Sequence, residues 1–296
     1  MNVLYKYYSA LEPSYFDNPT LKLSQPKKLN DPFESAVQFK LLRSNTSLRQ
    51  VLKKHPIFKS DEINIDNAML KSIAKKIASC GVVSLSETHR NILMWAHYAD
   101  EHRGLCIGYH TNGFETSKIN YDSSRYDPID DHLNIGDFNI WTNQVAKKIL
   151  TTKSDEWIYE KEHRIIHPIN QCDYFISNKM LKHNEYTRDI YHAQRLTKMI
   201  ILENGSKRYV PTKSWDNSSE YFFNLQENND LTFFKEISPT QIKSIFLGYR
   251  YPEDKKNSLL KKVHDNNSKI RDVKIYKMTL CQYEFKLKPI EIYPEN

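Results

Sequence analysis

The segment SLSETHRNILMWAHYADEHRGLCIGY, residues 84–109, constrains the fold more than any other part of the chain. Its apolar residues follow strand spacing first, then helical spacing from Ile92 to Ala99, and strand spacing again after Gly104. Asn91 stands where a helix N-cap is expected, because its side chain can accept hydrogen bonds from the first free amides of a helix. The pattern therefore predicts a strand, a loop, a short helix, a turn and a second strand.

The same segment carries many side chains that can donate, accept or stack, among them Ser86, Trp95, Tyr98 and Arg103. A unit built only for packing does not need so many polar and aromatic groups, which favours a binding or catalytic role. The alternative is that Trp95 and Tyr98 belong to the core while the other side chains face solvent.

Composition limits the classes of fold and function. Hydrophobic residues make up 39% of the 296 residues and aromatic residues 12%, so we expect a core built from large rings. With 7 glycines the chain has neither a G-x-G-x-x-G nor a Walker pattern. This argues against dinucleotide-binding folds and phosphate-binding loops of those two types.

The balance of charge and cysteine favours a cytoplasmic protein. The net charge of +7 suits an anionic partner, such as DNA or RNA, without requiring one. The 4 cysteines lack metal-ligand spacing, which predicts reduced thiols rather than zinc or disulfides. The start of the chain has no signal-peptide pattern, and no stretch approaches the length of a membrane span, so no membrane association is expected.

The remaining elements predict an α+β chain. Strands are expected at Val3–Ser9 and Thr20–Ser24, helices between about Asn45 and Cys80, and a further helix at Ile140–Thr152. A helix beginning near Pro252 and strands around it are expected to close the chain. Because no linker divides the sequence, we predict one domain over 1–296, with a motif-bearing core at about 1–170 that 196–296 completes.

The run WIYEKEHRIIHP, residues 157–168, reads as a loop that enters a strand. Glu160, Glu162 and Arg164 recur at a period of two, so on a strand they share one face. They are either an exposed ladder of charges or a group that acts together in a site.

Four motifs carry a resemblance to a bacterial family, the domain of unknown function 2971. They are LYKYYS, TLKLSQPKKLNDPFE, LMWAHYADEHRG within the central segment, and WIYEKEHRII. The family resemblance implies loosely a link to phage defence, and with it a partner protein from the same operon.

The order of these motifs is also similar to that of ADP-ribosyltransferases of the DNA-modifying toxin type. The similarity implies a mixed or antiparallel sheet core with helical insertions, and NAD as substrate. Carried over to this chain, the matching positions are Lys6 or Tyr7 on the first strand, Ser86 with Met94, Trp95 and Tyr98 in the middle, and Glu162 at the start of a later strand. The first strand departs from the pattern, since it has neither His nor Arg at that position.

Transfer from NAD needs a carboxylate that stabilises the cationic ribose, an aromatic clamp and donors for the pyrophosphate. We expect Glu162 in the first role, with Glu160 orienting the acceptor. The candidate clamps are Tyr98, Trp95 and Tyr7, and the candidate phosphate contacts are Lys6, Arg90 and Arg103. Asn30 or Asp31, with Ser24, either holds ribose hydroxyls or builds a turn that packs Phe33 into the core.

Two other functions fit the residues. Asp31, Glu34, Glu160 and Glu162 could form the carboxylate site of a metal-dependent nuclease. Alternatively, the chain is a non-enzymatic module that senses a nucleotide or a phage protein. A cleft that joins Glu162 with Tyr98 and Tyr7 favours the transferase, a carboxylate cluster favours the nuclease, and burial in mutual salt bridges favours the module.

Overall fold

The computed structural model describes residues 3–34, 65–125, 137–177, 197–201, 207–211, 230–265 and 267–294. The strands are β1 Val3–Tyr8, β2 Thr20–Leu23, β3 Cys80–Ser86, β4 Leu105–His110, β5 Thr116–Lys118, β6 Asn120–Asp122, β7 Thr152–Ser154, β8 Glu162–Pro168, β9 Tyr174–Ser177, β10 Thr197–Ile201, β11 Lys207–Pro211, β12 Leu231–Glu236, β13 Ile242–Leu247, β14 Lys274–Leu280 and β15 Leu287–Glu291. The α-helices are α1 Ile65–Ala78, α2 Ile92–Tyr98, α3 Phe138–Leu150 and α4 Glu253–His264. This confirms the predicted α+β class.

Two sheets organise these strands. The larger has eight strands in the order β15-β14-β13-β4-β1-β3-β8-β5, and the smaller has five in the order β10-β11-β9-β12-β2. Within the larger sheet, β13 and β14 run parallel, while β1, β3 and β8 pair antiparallel with their neighbours. Strands from both ends of the sequence share each sheet. The prediction of one domain over the whole chain stays a prediction.

The two faces of the larger sheet have different environments. One face contributes Leu4, Val83 and Ile165 to a core shared with the smaller sheet and with α4. On the opposite face, α1 and α3 pack over Val82, and α2 packs over Tyr7. Between these two apolar clusters, the sheet carries polar side chains, because Ser84 and Ser86 alternate with the residues that face the first core.

The central segment folds as its pattern predicts. β3 leads to α2, and Asn91 caps this helix, because its Oδ1 accepts from the amides of Leu93 at 2.8 Å and Met94 at 3.3 Å. The turn after α2 is made by three left-handed residues, Asp100, Glu101 and His102, rather than by Gly104. A Cβ on Gly104 would stand 2.1 Å from the carbonyl oxygen of Tyr8, so close packing explains this glycine.

Other predicted elements are confirmed with small shifts in their bounds. Helix α1 buries Met69, Ile73 and Ile77 on the face that the sequence indicates. α3 begins two residues earlier than predicted, because Asp137 caps it through hydrogen bonds from the amides of Asn139 and Ile140. The part of the predicted helical region between 45 and 64 lies outside the described residues.

Candidate functional site

Three adjacent strands bring Ser86 and Glu162 into one row with a residue of the first strand. In the sheet register, Tyr5 of β1 stands opposite Ser86 of β3, and Ser86 stands opposite Glu162 of β8. Residues directly opposite in antiparallel strands point to the same face. The first strand, the central segment and the Glu162 strand therefore meet on the polar face of the larger sheet.

A pocket opens where β1 and β3 separate. β3 bridges to Ser24 at Val82 and pairs with β1 at Ser86. Between these points the carbonyl oxygen of Ser84 accepts instead from Lys6 Nζ, at 3.2 Å. The pocket has a cavity volume of about 90 Å³, which is smaller than the range of about 300–1,000 Å³ usual for small-molecule sites. Its lining comprises Tyr5, Lys6, Tyr7, Leu29, Asn30, Ser84, Leu85, Ser86, Met94, Tyr98, Lys153, Glu160, Glu162 and Arg164.

One wall of the pocket belongs to a buried charge cluster, Glu34, Lys153, Glu160, Glu162 and Arg164. Arg164 is bidentate to Glu162, with Nε–Oε1 at 2.7 Å and Nη2–Oε2 at 3.0 Å. Its Nη2 also donates to Glu34 Oε1 at 2.6 Å. Lys153 Nζ lies 2.7 Å from Glu160 Oε2, 3.2 Å from Glu162 Oε2 and 3.3 Å from Glu34 Oε1. Three carboxylates thus share two cations.

Burial and charge compete in setting the pKa values of this cluster. Burial opposes ionisation of Glu162, but Arg164 and Lys153 outweigh it and lower the pKa of Glu162 to about 2. Burial also opposes the Lys153 ammonium, yet the surrounding carboxylates raise its pKa to about 12. For Glu34 burial prevails over the same two cations, so its pKa is raised. Glu162 is therefore held as a carboxylate.

The backbone between Glu160 and Glu162 turns both carboxylates into the same space. Glu160 ends a 3-10 helix over Asp155–Glu160, and Lys161 is left-handed, with φ 46°. The period of two thus does bring the glutamates together, although Glu160 precedes the strand instead of lying on it. Both are buried, so the exposed charge ladder considered from the sequence is wrong.

Tyr98 connects α2 to the charge cluster. Its hydroxyl donates to Glu160 Oε1 at 2.5 Å and accepts from Asn30 Nδ2 at 2.5 Å. Burial and the hydrogen bond to Glu160 both raise the pKa of Tyr98, so the hydroxyl keeps its proton. Ser86 fixes the same loop, because its Oγ donates to the carbonyl oxygen of Glu160 at 2.7 Å.

The first strand presents Tyr5, Lys6 and Tyr7 to the pocket. Burial lowers the pKa of Lys6 to about 8, against the attraction of Glu162. Tyr7 is largely buried and donates from its hydroxyl to the carbonyl oxygen of Thr88 at 2.9 Å. Its ring packs edge-on against Trp95, with ring centroids 5.2 Å apart.

Five of the predicted cofactor contacts lie outside the pocket lining, and one of them, Arg90, lines a separate groove. Trp95 is fully buried, and its Nε1 donates to the carbonyl oxygen of His89 at 2.8 Å, which makes it a core residue. Ser24 forms the bridge to β3, and Arg103 pairs at the surface with Glu101 at 3.2 Å. Asp31 builds the predicted Asx-turn, since its Oδ1 accepts from the amide of Phe33 at 2.9 Å.

The turn at Asp31 does not pack Phe33 into the core. The Phe33 side chain is 59% exposed, and the guanidinium of Arg125 lies 5.6 Å from its ring centroid. The neighbouring Asn30 and Met94 do line the pocket, as expected.

Sequence reasoning missed three residues of the site. Tyr5 is two positions from Tyr7, so strand alternation could have indicated it. Lys153 lies on β7, a strand of three residues, and no local pattern marks it. The Tyr121 hydroxyl accepts from the Glu162 amide at 2.7 Å, a contact that only the fold creates.

The carboxylates of the cluster are paired with cations rather than arranged around an ion site. Within the described parts of the chain, no group of three or more His, Cys, Asp or Glu side chains is placed to hold a metal ion. This geometry gives the nuclease alternative little support. Among the helices of those same parts, none has both the length and the apolar character needed to cross a membrane.

Comparison with known proteins returns one family. The family described as "Protein of unknown function (DUF2971)" matches residues 94–165, a stretch that runs from α2 through the Glu162 strand. The chain matches none of the curated proteins and none of the solved structures. Over this stretch, which holds nearly all of the third and fourth sequence motifs, the chain is similar to the DUF2971 family.

Proposed function

We propose that the chain is an ADP-ribosyltransferase that consumes NAD at the pocket between β1 and β3. The observation that carries the proposal is the row Tyr5–Ser86–Glu162 across three neighbouring strands. It joins Ser86 and Glu162, two positions that the resemblance to ADP-ribosyltransferases picks out, with the first strand at Tyr5, next to the expected Lys6 or Tyr7. The mixture of rings and charges that lines the pocket supports the proposal.

The charge of the cluster suits cleavage of the bond between nicotinamide and ribose. As that bond breaks, positive charge develops on the ribose, and a fixed carboxylate close by stabilises it without reorganisation. Glu162 is kept ionised by Arg164, and the cluster contains one carboxylate more than it has cations. In this proposal Glu162 faces the ribose and Glu160 orients the acceptor.

The other lining residues take binding roles. The rings of Tyr5 and Tyr98 and the side chain of Met94 offer apolar walls for a flat ring. Lys6 lines the pocket, where its Nζ donates to the Ser84 carbonyl oxygen, and its ammonium suits a phosphate. A nucleic acid or a protein is the acceptor, and a role as a defence effector or toxin with an operon-encoded partner belongs to the same proposal.

One observation favours a second candidate, a nucleotide-binding module without catalysis. Both carboxylate oxygens of Glu162 already accept hydrogen bonds, Oε1 from Arg164 and Oε2 from Arg164 and Lys153. A carboxylate engaged in this way has less freedom to contact a sugar. The module predicts that NAD or a related nucleotide binds and stays intact.

The test is the release of nicotinamide from NAD by the purified protein, alone and with single-stranded DNA, RNA or cell lysate as acceptor. We expect release by the wild type and a decrease of at least about 100-fold in Glu162→Gln, as for removal of one group that stabilises the transition state. Glu115→Gln is the matched control, because Glu115 is exposed and pairs with Lys147 at the surface.

Tyr98→Phe is a second variant, since it removes one hydroxyl from a half-buried side chain and is less prone to unfold the protein. Thermal unfolding of each variant shows whether a decrease in activity reflects unfolding. Absence of release by folded wild type with every acceptor would refute the transferase. NAD binding in that same experiment, detected as a rise in the unfolding temperature, would support the module instead.

A further inference from the structure

A second depression lies on the other side of α2 from the pocket. It is a groove of about 830 Å³, lined by Arg90, Asn91, Ile92, Leu93 and the segment Glu284–Pro289. Leu287 is buried beneath it, in the same apolar cluster as Met94, which lines the pocket. The groove and the pocket therefore border the same apolar cluster.

Aromatic rings stand out of the turn that borders the groove. The Phe285 side chain is 100% exposed and that of Tyr283 is 88% exposed. The turn itself is ordered by hydrogen bonds from the Cys281 amide to the Lys286 carbonyl oxygen at 3.0 Å and from the Lys286 amide to the Glu284 carbonyl oxygen at 2.7 Å. An ordered turn that holds two rings in water is typical of a surface that binds something.

The charges around these rings are mainly positive. Arg90, Lys286 and Lys288 line the groove together with one acidic residue, Glu284. Lys286 pairs with Glu284 at 3.0 Å, but both side chains are more than half exposed, so the pair is weak and a stronger anion can replace it. Three cations and one anion give the lining a net charge of +2.

We propose that this groove binds single-stranded nucleic acid. Basic side chains that follow a phosphate backbone, combined with exposed rings on which bases stack, are the features of single-strand sites. A duplex keeps its bases stacked inside, so the exposed rings would have no bases to stack on. An acidic peptide could pair with the cations but has no bases to stack on the rings. The binding follows from the groove alone, whereas a role of this strand as the ADP-ribose acceptor rests on the proposed function.

The test is fluorescence anisotropy with labelled DNA and RNA single strands of about 16 nucleotides and with the matching duplex, in the absence of NAD. We expect single strands to bind more tightly than duplex. The double variant Tyr283→Ala, Phe285→Ala should weaken binding about 25-fold or more, from the usual stacking contribution of two rings. The DNA and RNA arms identify which strand is preferred.

The charge variant Lys286→Gln, Lys288→Gln should lower the slope of log affinity against log salt by about 0.7 for each phosphate that the protein no longer neutralises. Two double variants serve as matched controls and should leave binding within about twofold of wild type. They are Tyr249→Ala with Tyr293→Ala, at exposed rings elsewhere, and Lys255→Gln with Lys261→Gln, on the exposed face of α4.

Three outcomes would overturn the inference: no binding of single strands, tighter binding of duplex, or equal weakening in groove and control variants. Phe285 and Tyr283 are exposed, so we expect their variants to unfold at the wild-type temperature, and that measurement accompanies each titration. A protein that binds single strands at the groove but releases no nicotinamide would retain this inference and lose the proposed function. A protein that releases nicotinamide but does not bind single strands would retain the proposed function and lose this inference.

Discussion

The buried charge cluster makes a quantitative prediction about Lys153. Lys153 Nζ lies 2.7 Å from Glu160 Oε2, and their side chains are 2% and 6% exposed. With an effective dielectric constant of about 20, two unit charges at this distance attract by about 6 kcal/mol before the cost of desolvation. In Lys153→Met three carboxylates are left facing Arg164 alone. We expect a decrease of about 3–5 kcal/mol in the free energy of unfolding.

Urea unfolding followed by tryptophan fluorescence measures this decrease, since Trp95 and Trp141 are buried. The matched control is Lys147→Met, which breaks the Lys147–Glu115 pair. That pair also has a short N–O distance, 2.5 Å, but its side chains are 51% and 82% exposed. Screening by solvent makes the expected decrease in stability there much smaller than for Lys153→Met.

A double variant separates electrostatics from packing. Glu160→Gln keeps an oxygen that accepts from Tyr98 but removes the charge that Lys153 neutralises. In the Lys153→Met background, Glu160→Gln should therefore lower the free energy of unfolding by less than it does in wild type. The coupling energy between the two changes should be about 1–3 kcal/mol. Additive effects of the two changes, or a cost for Lys153→Met no larger than for Lys147→Met, would refute the reasoning.

Two further predictions concern Glu162 and Asn91. The pKa of Glu162 is lowered from 4.5 to about 2 in the fold, so its contribution of about 3 kcal/mol is present above pH 4.5 and is lost as the pH falls through about 2. The difference in urea midpoint between wild type and Glu162→Gln should thus narrow from pH 5 to pH 2, and a constant difference would contradict this. Asn91→Ala removes the cap of α2 and the hydrogen bond to the Tyr159 carbonyl oxygen, and should lower stability by about 1–2 kcal/mol. Asn91→Asp, which keeps the cap but not the donor, should recover about half of that decrease in the same urea titration.

The sequence by itself determined the local elements. β1, β3 with α2 and β4, the helix stripe of α1, and the strand that begins at Glu162 all follow from spacing and capping, because these patterns act between near neighbours. It also singled out several residues that line the pocket, since Glu160, Glu162, Tyr98, Tyr7 and Lys6 stand in short motifs. The period of two at Glu160 and Glu162 did not determine whether these two side chains face solvent or are buried.

Only the tertiary structure decided which charges meet. Glu34, Lys153 and Arg164 come from three separate segments, and they approach because β3 and β8 pair and α3 ends beside them, where Arg164 Nη1 donates to the Leu150 carbonyl oxygen at 2.7 Å. Trp95 and Arg103 show the converse. Their motif suggested a binding role, yet packing of α2 on the sheet buries Trp95, and the turn after the helix carries Arg103 to the surface. Local sequence determines whether a segment forms a helix or a strand. Which side chains are buried and which pair depends on strand order, and strand order is set by contacts between residues distant in the chain.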